Sequence, residues 1–587
     1  MKKLSVTLQI NLALAAVFSL LSISPRLDIS LAAFPVAAVF CALLYYVSCV
    51  ELLRKKSIAR LGFVRHVFQY EPFVFITVFV IQRAGKKGFS APFDFLCAFL
   101  WLALSVLAVM IQRSLSEKRI VLACDEWKAA YGALRANRPR GAKRVFIEIL
   151  EWIDALLQAV FTIMLLNIFI FQLYEIPSES MVPTFLIKDR VVVVKTLSGP
   201  KFPLSEAGIP YLQKYRRGDI VVFRNPHYGS DRRNEVKTFF SQFLYMCSLT
   251  LLKTNTDEHG ELKADPLVKR VTAVPGEQIY MLDGVLYART KESGGFVPVK
   301  EDASWAAWNL AALPEKTRRK IQTIPLSAAQ ADSVLAVESR RRSLDLASAA
   351  QECGRLASEF SLLAQPKSAA GPAEDLFSPR DLFVYSLFSN INSETVTLLT
   401  AGGGAVWADR FLNSWHRDHP EILDGGFAFS DPYQEASFRL NVMAKLLFGR
   451  LIVRNAQLLA GEVPVSQWKS DAARTRLLEE AGELCAYILE MDLRNLPVFP
   501  RSSPDGTPSF IPEHCYFMMG DNRYNSLDMR HSYTQSLVPV TQLDASSVLY
   551  YTNLEPQYVG RERILGKANF RFWPPSRIGI PKAGMEQ

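Results

Sequence analysis

Histidine is scarce in this chain. Its 587 residues include seven. His66 lies near a basic loop, and His227, His259, His514 and His531 are isolated in polar or turn-like contexts. His416 and His419 have a spacing that can bind metal on a helix, but no HExxH frame surrounds them. A histidine-activated nucleophile and a metalloprotease centre therefore have little support. The eight cysteines are scattered without a CxxC pair. Cys41, Cys49 and Cys97 lie in apolar runs as packing residues, and pairing among Cys247, Cys353, Cys485 and Cys515 cannot be assigned from sequence. No metal or cofactor is signalled.

Net basic charge is also missing from most of the chain. The formal net charge is +10, yet residues 54–65 carry five Lys/Arg and no acid, and residues 113–144 carry nine against three acids. Those two segments alone supply +11. Both lie between apolar runs, where Lys and Arg mark cytoplasmic loops. The charge is a topology signal, and no nucleic-acid partner is expected.

Apolar runs are plentiful in the first third. A membrane span needs about 20 apolar residues. Residues 4–23, 31–50, 95–112 and 155–173 qualify, and 72–82 reaches span length only if 67–71 are included. Lys2 and Lys3 precede the first run as in a cleaved leader, but a second run begins soon after Pro25, and a retained span is expected. Five spans starting inside place both basic loops in the cytoplasm and everything after residue 174 outside it. Arg83, Lys86 and Lys87, on an outer loop, run against that pattern. A later apolar stretch, 239–252, is short for a span and is expected to be buried or to dip into the membrane surface.

Beyond residue 174 short β-branched segments take over. They fall at 189–195, 218–223, 267–271, 516–519 and 568–573, and 278–282 and 285–288 flank Asp283-Gly284, a two-residue hairpin signal. Residues 301–510 are instead rich in Ala, Leu, Glu and Arg, with long helical stretches and no repeat period. The expected fold class is an α-helical membrane region, 1–174, plus a mostly antiparallel β domain in two parts, 175–300 and 511–587. A helical insertion of unknown role, 301–510, interrupts that domain. Within it, Arg340-Arg341-Arg342 reads as a solvated helix face rather than a lipid-headgroup site.

The stretch Ile176-Pro177-Ser178-Glu179-Ser180-Met181-Val182-Pro183-Thr184 follows closely on the last apolar run. Two prolines bracket two serines, which favours an extended backbone and a presented hydroxyl. A serine nucleophile needs a base to take its proton. Lysine can serve if it is neutral; free, it titrates near about 10.4, and burial lowers that value. Lys269 follows Leu267-Val268 on a predicted strand. Taken alone, a solvated strand edge is the simpler reading of such a lysine.

Five segments change that balance: IPSESMVPT (176–184), RRGDIVVF (216–223), VKRVTAVPGE (268–277), YFMMGDNRYNSLDMR (516–530) and GKANFRFWPPSRIG (566–579). In this order and setting they resemble bacterial type I signal peptidases, membrane serine proteases with a Ser/Lys dyad. The resemblance covers about a third of the chain and leaves out the membrane region and the insertion.

The resemblance implies that Ser180 is the nucleophile and Lys269 the general base. It implies that Ser178, with the Ser180 amide, stabilises the oxyanion, and that Ser526 orients the lysine. Arg270 with Asp521, and Asp528 with Arg530, would brace the site. Ile176, Met181, Phe185 and Val268 would line apolar pockets for small side chains. Glu179, where Gly is frequent in the family, Phe185, Tyr524 and Met529 depart from the family pattern and bear on substrate preference.

The expected function is cleavage of signal peptides from exported preproteins after a small residue, on the outer side of the cytoplasmic membrane, without cofactor. The bilayer and the secretion translocon are the expected neighbours. The alternative is an inactive relative acting as a membrane-anchored interaction protein.

Overall fold

The computed structural model describes residues 2–55, 60–85, 88–116, 119, 141–228, 232–248, 252, 254, 256, 263–364 and 376–581. Lys86, Lys87, His259 and most of the basic 113–144 segment lie outside them.

Among the described residues, the apolar first third forms five helices long and apolar enough to cross a membrane. They are α1 (Lys2–Leu21), α2 (Ala33–Tyr45), which continues through wider turns to Arg54, α3 (Leu61–Arg83), α4 (Ala91–Ser114) and α5 (Ala142–Phe169). The short 72–82 run is the second half of α3. Helices α1 to α4 share a core that includes Phe18, Phe68, Phe75, Phe79 and Leu104. Polar residues that interrupt the apolar runs meet inside it, with Asn11 Nδ2 donating to Glu71 Oε1 at 2.9 Å. Intramembrane polar groups need such partners. Arg83 is likewise no loop charge: it is buried and pairs with Asp94 at 2.7 Å. Helix α5 stands apart with many apolar side chains exposed, touching α3 where Phe161 stacks on Phe73 at 5.0 Å.

The last apolar run ends earlier than expected. Phe171–Glu175 is a strand, β1, that pairs antiparallel with β2 (Arg190–Val194). The valine run of β2 alternates, so Val191 and Val193 are fully buried. With β3 (Ile220–Phe223), β4 (Leu267–Ala273), β9 (Cys515–Met519), β12 (Val559–Gly560) and β13 (Ile564–Trp573) these strands form a seven-stranded sheet. Its order is β1-β2-β13-β3-β4-β9-β12, antiparallel throughout. Strands β5 (Glu277–Leu282) and β6 (Val285–Thr290) turn at Asp283 and Gly284, both at positive φ. They carry β7 (Val297–Pro298) on one side and β8 (Leu496–Phe499) on the other. Leu496–Phe499, read from sequence as part of the helical insertion, is therefore a strand of the β domain. A further hairpin, β10 (His531–Pro539) with β11 (Leu549–Leu554), has no counterpart among the sequence expectations.

The insertion contains α7 (Ala328–Ser343), α8 (Leu346–Leu363), α9 (Val384–Ser389), α10 (Ile391–Thr400), α11 (Gly404–Arg417), α12 (Pro432–Ala460) and α13 (Ala472–Arg494). Their core includes Phe360, Phe411, Trp415, Phe448 and Ile488, and extends to Val548 and Tyr550 of the last hairpin. At its centre Lys445 Nζ meets Asp544 at 2.6 Å, both side chains fully buried. The three arginines are not a free helix face. Arg341 is buried against Asp283, Arg342 reaches the same carboxylate at 2.9 Å, and Arg340 pairs with Glu483 at 2.5 Å. Arg341 and Arg342 clamp the insertion onto the β5–β6 turn, while Arg340 ties α7 to α13 within it.

The segment 239–252 falls partly in α6 (Arg232–Cys247), a 16-residue helix below span length. Cys353, Cys485 and Cys515 are free thiols. The β domain is seated on the helices by the loop between β2 and β3. Phe202 lies among Phe79, Trp101 and Phe169, ring centroids 4.8–5.3 Å apart. Beside it Ser205 Oγ donates to Asp94 at 2.5 Å.

Removing one member of a buried ion pair costs about 3–5 kcal/mol, because the other charge is left uncompensated. Lys445→Met should accordingly lower the unfolding midpoint of the helical insertion in a denaturant titration. A midpoint equal to that of the parent protein would show that Asp544 needs no counter-charge.

Candidate active site

Ser180 does not lie on an extended strand. Residues 178–185 form bends and turns, with the Val182 N–H donating to Glu179 O at 3.1 Å and the Phe185 N–H to Met181 O at 2.9 Å. The reason is tertiary. The Asn522 N–H donates to Ser180 O and Asn522 Nδ2 to Glu179 O, each at 3.1 Å, so the turn is gripped by the loop after β9. Gly520 permits that approach, because a Cβ there would collide with Ser180 O and Ser526 Oγ.

Lys269 arrives from the sheet. Alternation along β4 sends Leu267 and Val271 into one apolar cluster and Val268 into another, and Lys269 is 3 % exposed between them. Its Nζ donates to Ser180 Oγ at 2.7 Å. Burial lowers the amine to about 8; Asp528 opposes the shift, Arg530 adds to it and Asp521 opposes it. Asp528 does not simply pair with the lysine because its oxygens are committed. Oδ1 accepts from Arg530 Nε at 2.9 Å, and Oδ2 accepts from Arg530 Nη2 at 3.0 Å and the Gly520 N–H at 2.9 Å. Burial would raise that carboxyl, but Arg530 holds it well below the usual range.

Arg270, the next residue of β4, donates to Asp521 through Nε at 2.7 Å and Nη2 at 2.6 Å. Thr184 completes the knot, donating to Asp521 Oδ2 at 2.5 Å and accepting from Arg270 Nη2 at 3.1 Å. The nucleophile turn, the lysine strand and the Gly520 loop are thus joined by one buried carboxylate.

Ser178 is exposed, and its Oγ is 3.4 Å from Ser180 Oγ. The Ser180 N–H has no protein acceptor among the described residues. Ser526 is buried beside Gly520, and its Oγ has no hydrogen-bond partner among the described residues. The expected bond between Lys269 and Ser526 is not formed here, since the amine is directed at Ser180. Ile176, Met181 and Phe185 are buried in one cluster with Val191, Val193 and Val222, and Val268 packs against it. They form an apolar floor beneath the site.

Three of the departures find places. Tyr524 packs edge-on against Trp308, centroids 5.4 Å apart. Met529 is fully buried in the β core, a position suited to an apolar side chain. Glu179 is buried, its carboxylate accepting backbone N–H groups of Gln322 at 2.5 Å and Thr323 at 3.0 Å. Sequence reasoning missed Thr184, Asp302, which pairs with Arg523 at 2.6 Å, and Ala307, whose N–H donates to Asp521 O at 2.7 Å. Only the spacing of Thr184 from Ser180 offered any signal, because the other two belong to the insertion.

Two other lysines test how special this pairing is. Lys445 lies 2.8 Å from Ser414 Oγ, but it is matched to Asp544 and sealed in the core. Lys195 is lowered to about 7 by burial and then Arg224, yet it donates to Gln172 at 2.5 Å and not to a hydroxyl. Lys269 combines a depressed amine with a half-buried serine that a substrate can approach.

A serine hydroxyl bonded to a buried lysine whose amine burial depresses is the arrangement a serine nucleophile with a lysine base requires. The family profile described as "Signal peptidase, peptidase S26" matches residues 149–345 and 453–573, more than half of the chain. The chain belongs to that family. It is 37% identical over 79 residues to signal peptidase I of Buchnera aphidicola subsp. Schizaphis graminum, covering 14% of this chain and 25% of the relative. It is 27% identical over 129 residues to signal peptidase I of Pseudomonas aeruginosa, covering 21% and 45%. With signal peptidase I T of Bacillus subtilis it shares 26% over 156 residues, covering 27% and 56%. The chain thus spans between a quarter and somewhat over half of these relatives' lengths. No solved structure matches it.

Neutralising Asp521 while keeping its shape should loosen the knot. Asp521→Asn leaves the Arg270 guanidinium buried without a counter-charge, at a cost of about 3–5 kcal/mol. The expected result is a lower melting temperature together with slower turnover; an unchanged melting temperature would count against this role for the pair.

Proposed function

We propose that the protein is a signal peptidase I, an endopeptidase that removes signal peptides from exported preproteins after a small residue. The observation that carries this is the 2.7 Å contact between Lys269 Nζ and Ser180 Oγ, with the amine depressed to about 8 by burial. In this reading the neutral amine accepts the Ser180 proton as Oγ attacks the scissile carbonyl, and Ser180 becomes the acyl carrier. The resulting ammonium gives that proton to the departing amine; neutral again, it takes a proton from the attacking water and returns it to Ser180 Oγ as the acyl group leaves. Ser178 and the Ser180 N–H donate to the oxyanion, such donors typically contributing about 3 kcal/mol each. Ser526 accepts from the lysine once Ser180 is acylated, which gives its unpartnered hydroxyl a use.

The shallow apolar floor suits small side chains, and an extended peptide would add as a strand beside the nucleophile turn and β4. Residues 1–174 would act as a multi-pass anchor in the cytoplasmic membrane with the β domain outside, near preproteins emerging from the translocon. Residues 175–300 and 511–587 would be the catalytic core and 301–510 an insertion within it. An inactive scaffold is the less economical reading, because nothing in a purely adhesive role calls for a buried amine against a serine.

Detergent-solubilised full-length protein should cut a preprotein in vitro. Ser180→Ala should abolish cutting, and Lys269→Ala should slow it by about 100- to 10,000-fold, the range for general acid–base groups. Near-parent rates for Lys269→Ala would remove the lysine from the mechanism. The amine must be neutral to accept a proton, so kcat/KM should rise with pH through a midpoint near 8 and fall away in acid. A pH-independent rate across that window would contradict the assignment. Ser178→Ala should lower kcat by about 100-fold with KM little changed.

A further inference from the structure

Glu179 stands between the two serines, yet its carboxylate faces neither hydroxyl. The residue is 6 % exposed, with Oε1 accepting the Gln322 N–H at 2.5 Å and Oε2 the Thr323 N–H at 3.0 Å. Its carbonyl is held from the other side by Asn522 Nδ2 and the Val182 N–H, each at 3.1 Å. The residue before the nucleophile is therefore pinned through both side chain and backbone.

The amides that hold the carboxylate belong to the segment that opens the insertion. That segment is also stitched to the Gly520 loop. The Ala307 N–H donates to Asp521 O at 2.7 Å, the Arg523 N–H donates to Ala307 O at 3.2 Å, and Asp302 pairs with Arg523 at 2.6 Å. Between the two stitches, Leu310 and Leu313, with Ile321 partly buried, pack on Val182 and Leu186 of the nucleophile turn. Residues 302–323 thus form a strap that binds the Ser180 turn and the loop facing Lys269 into one piece.

We propose that Glu179 is a positioning residue for Ser180, through which this strap sets the nucleophile's geometry. The inference rests on the reading of Ser180 as nucleophile. A carboxylate that accepts two amide N–H groups makes charge-assisted bonds stronger than neutral ones. Glutamine can satisfy only one of them, and its NH2 then faces the other donor. Alanine releases both. A displacement of about 1 Å at a reacting group can cost about 100-fold in rate, so the strap's hold should be visible in kcat while leaving the binding surface alone.

The test uses the full-length enzyme in detergent with a preprotein substrate. Glu179→Ala should lower kcat by about 10- to 100-fold, with KM within about twofold and the pH midpoint set by Lys269 unmoved. Glu179→Gln should fall between it and the parent. Thr323→Pro removes one of the two donors and leaves Glu179 in place, and should lower kcat in the same direction by less. A kcat for Glu179→Ala within about twofold of the parent would overturn the proposal, as would a loss that merely tracks the fraction of folded protein in a thermal melt. Should Glu179→Ala fail to fold, Thr323→Pro decides: a parent-like kcat in a folded Thr323→Pro enzyme overturns the proposal. Failure of the parent enzyme to cut, or cutting by Ser180→Ala, would instead count against the proposed function itself.

Discussion

A lysine can accept a proton only while it is kept from its charge, and the rest of the site depends on that constraint. Burying an ammonium costs several kcal/mol even after relaxation, which is what drives the Lys269 amine down to about 8. Two carboxylates stand close enough to undo this. Asp528 is committed to Arg530 and the Gly520 N–H, and Asp521 to Arg270 and Thr184. Each arginine therefore has a second office besides bracing loops: it occupies an acid that would otherwise return the lysine to its charged form. At Lys445 burial lowers the amine as well, but there the carboxylate of Asp544 meets it directly at 2.6 Å and opposes the shift.

The insertion is less separate than its composition suggests. Its helices have their own core, but its leading strap touches the nucleophile turn, its arginines hold Asp283 at the β5–β6 turn, and its last helix leads straight into β8. A unit joined at three places to the sheet shares its rigidity with the site. Motion within the strap would reach Ser180 through contacts that are already made.

What could be read from the sequence was whatever local pattern determines. The valine run of β2, the Asp283-Gly284 turn and the five apolar helices are set by short-range periodicity, and the five motifs placed the residues that meet at Ser180 and Lys269. What escaped depends on long-range contact. The turn at Ser180 needs Asn522, more than 300 residues away in the chain, to draw the backbone out of the extended form that the flanking prolines favour. Arg83 read as a stray loop charge because nothing local marks Asp94 as its partner. The charge of Glu179 had no visible purpose because the groups that receive it are backbone amides, which carry no sequence signature. Phe171–Glu175 was absorbed into the preceding apolar run because a strand that continues a helix shares its hydrophobicity.

Phe202, wedged among aromatic side chains of α3, α4 and α5, has a geometric consequence. Were the sheet joined to the helices by the α5–β1 connection alone, Ser180 would sample a spread of heights above the bundle. With the aromatic plug in place that height becomes a fixed length. Under the proposed function such a protein would act as a ruler, cutting only bonds that lie one set distance from the end of the apolar segment that carries them.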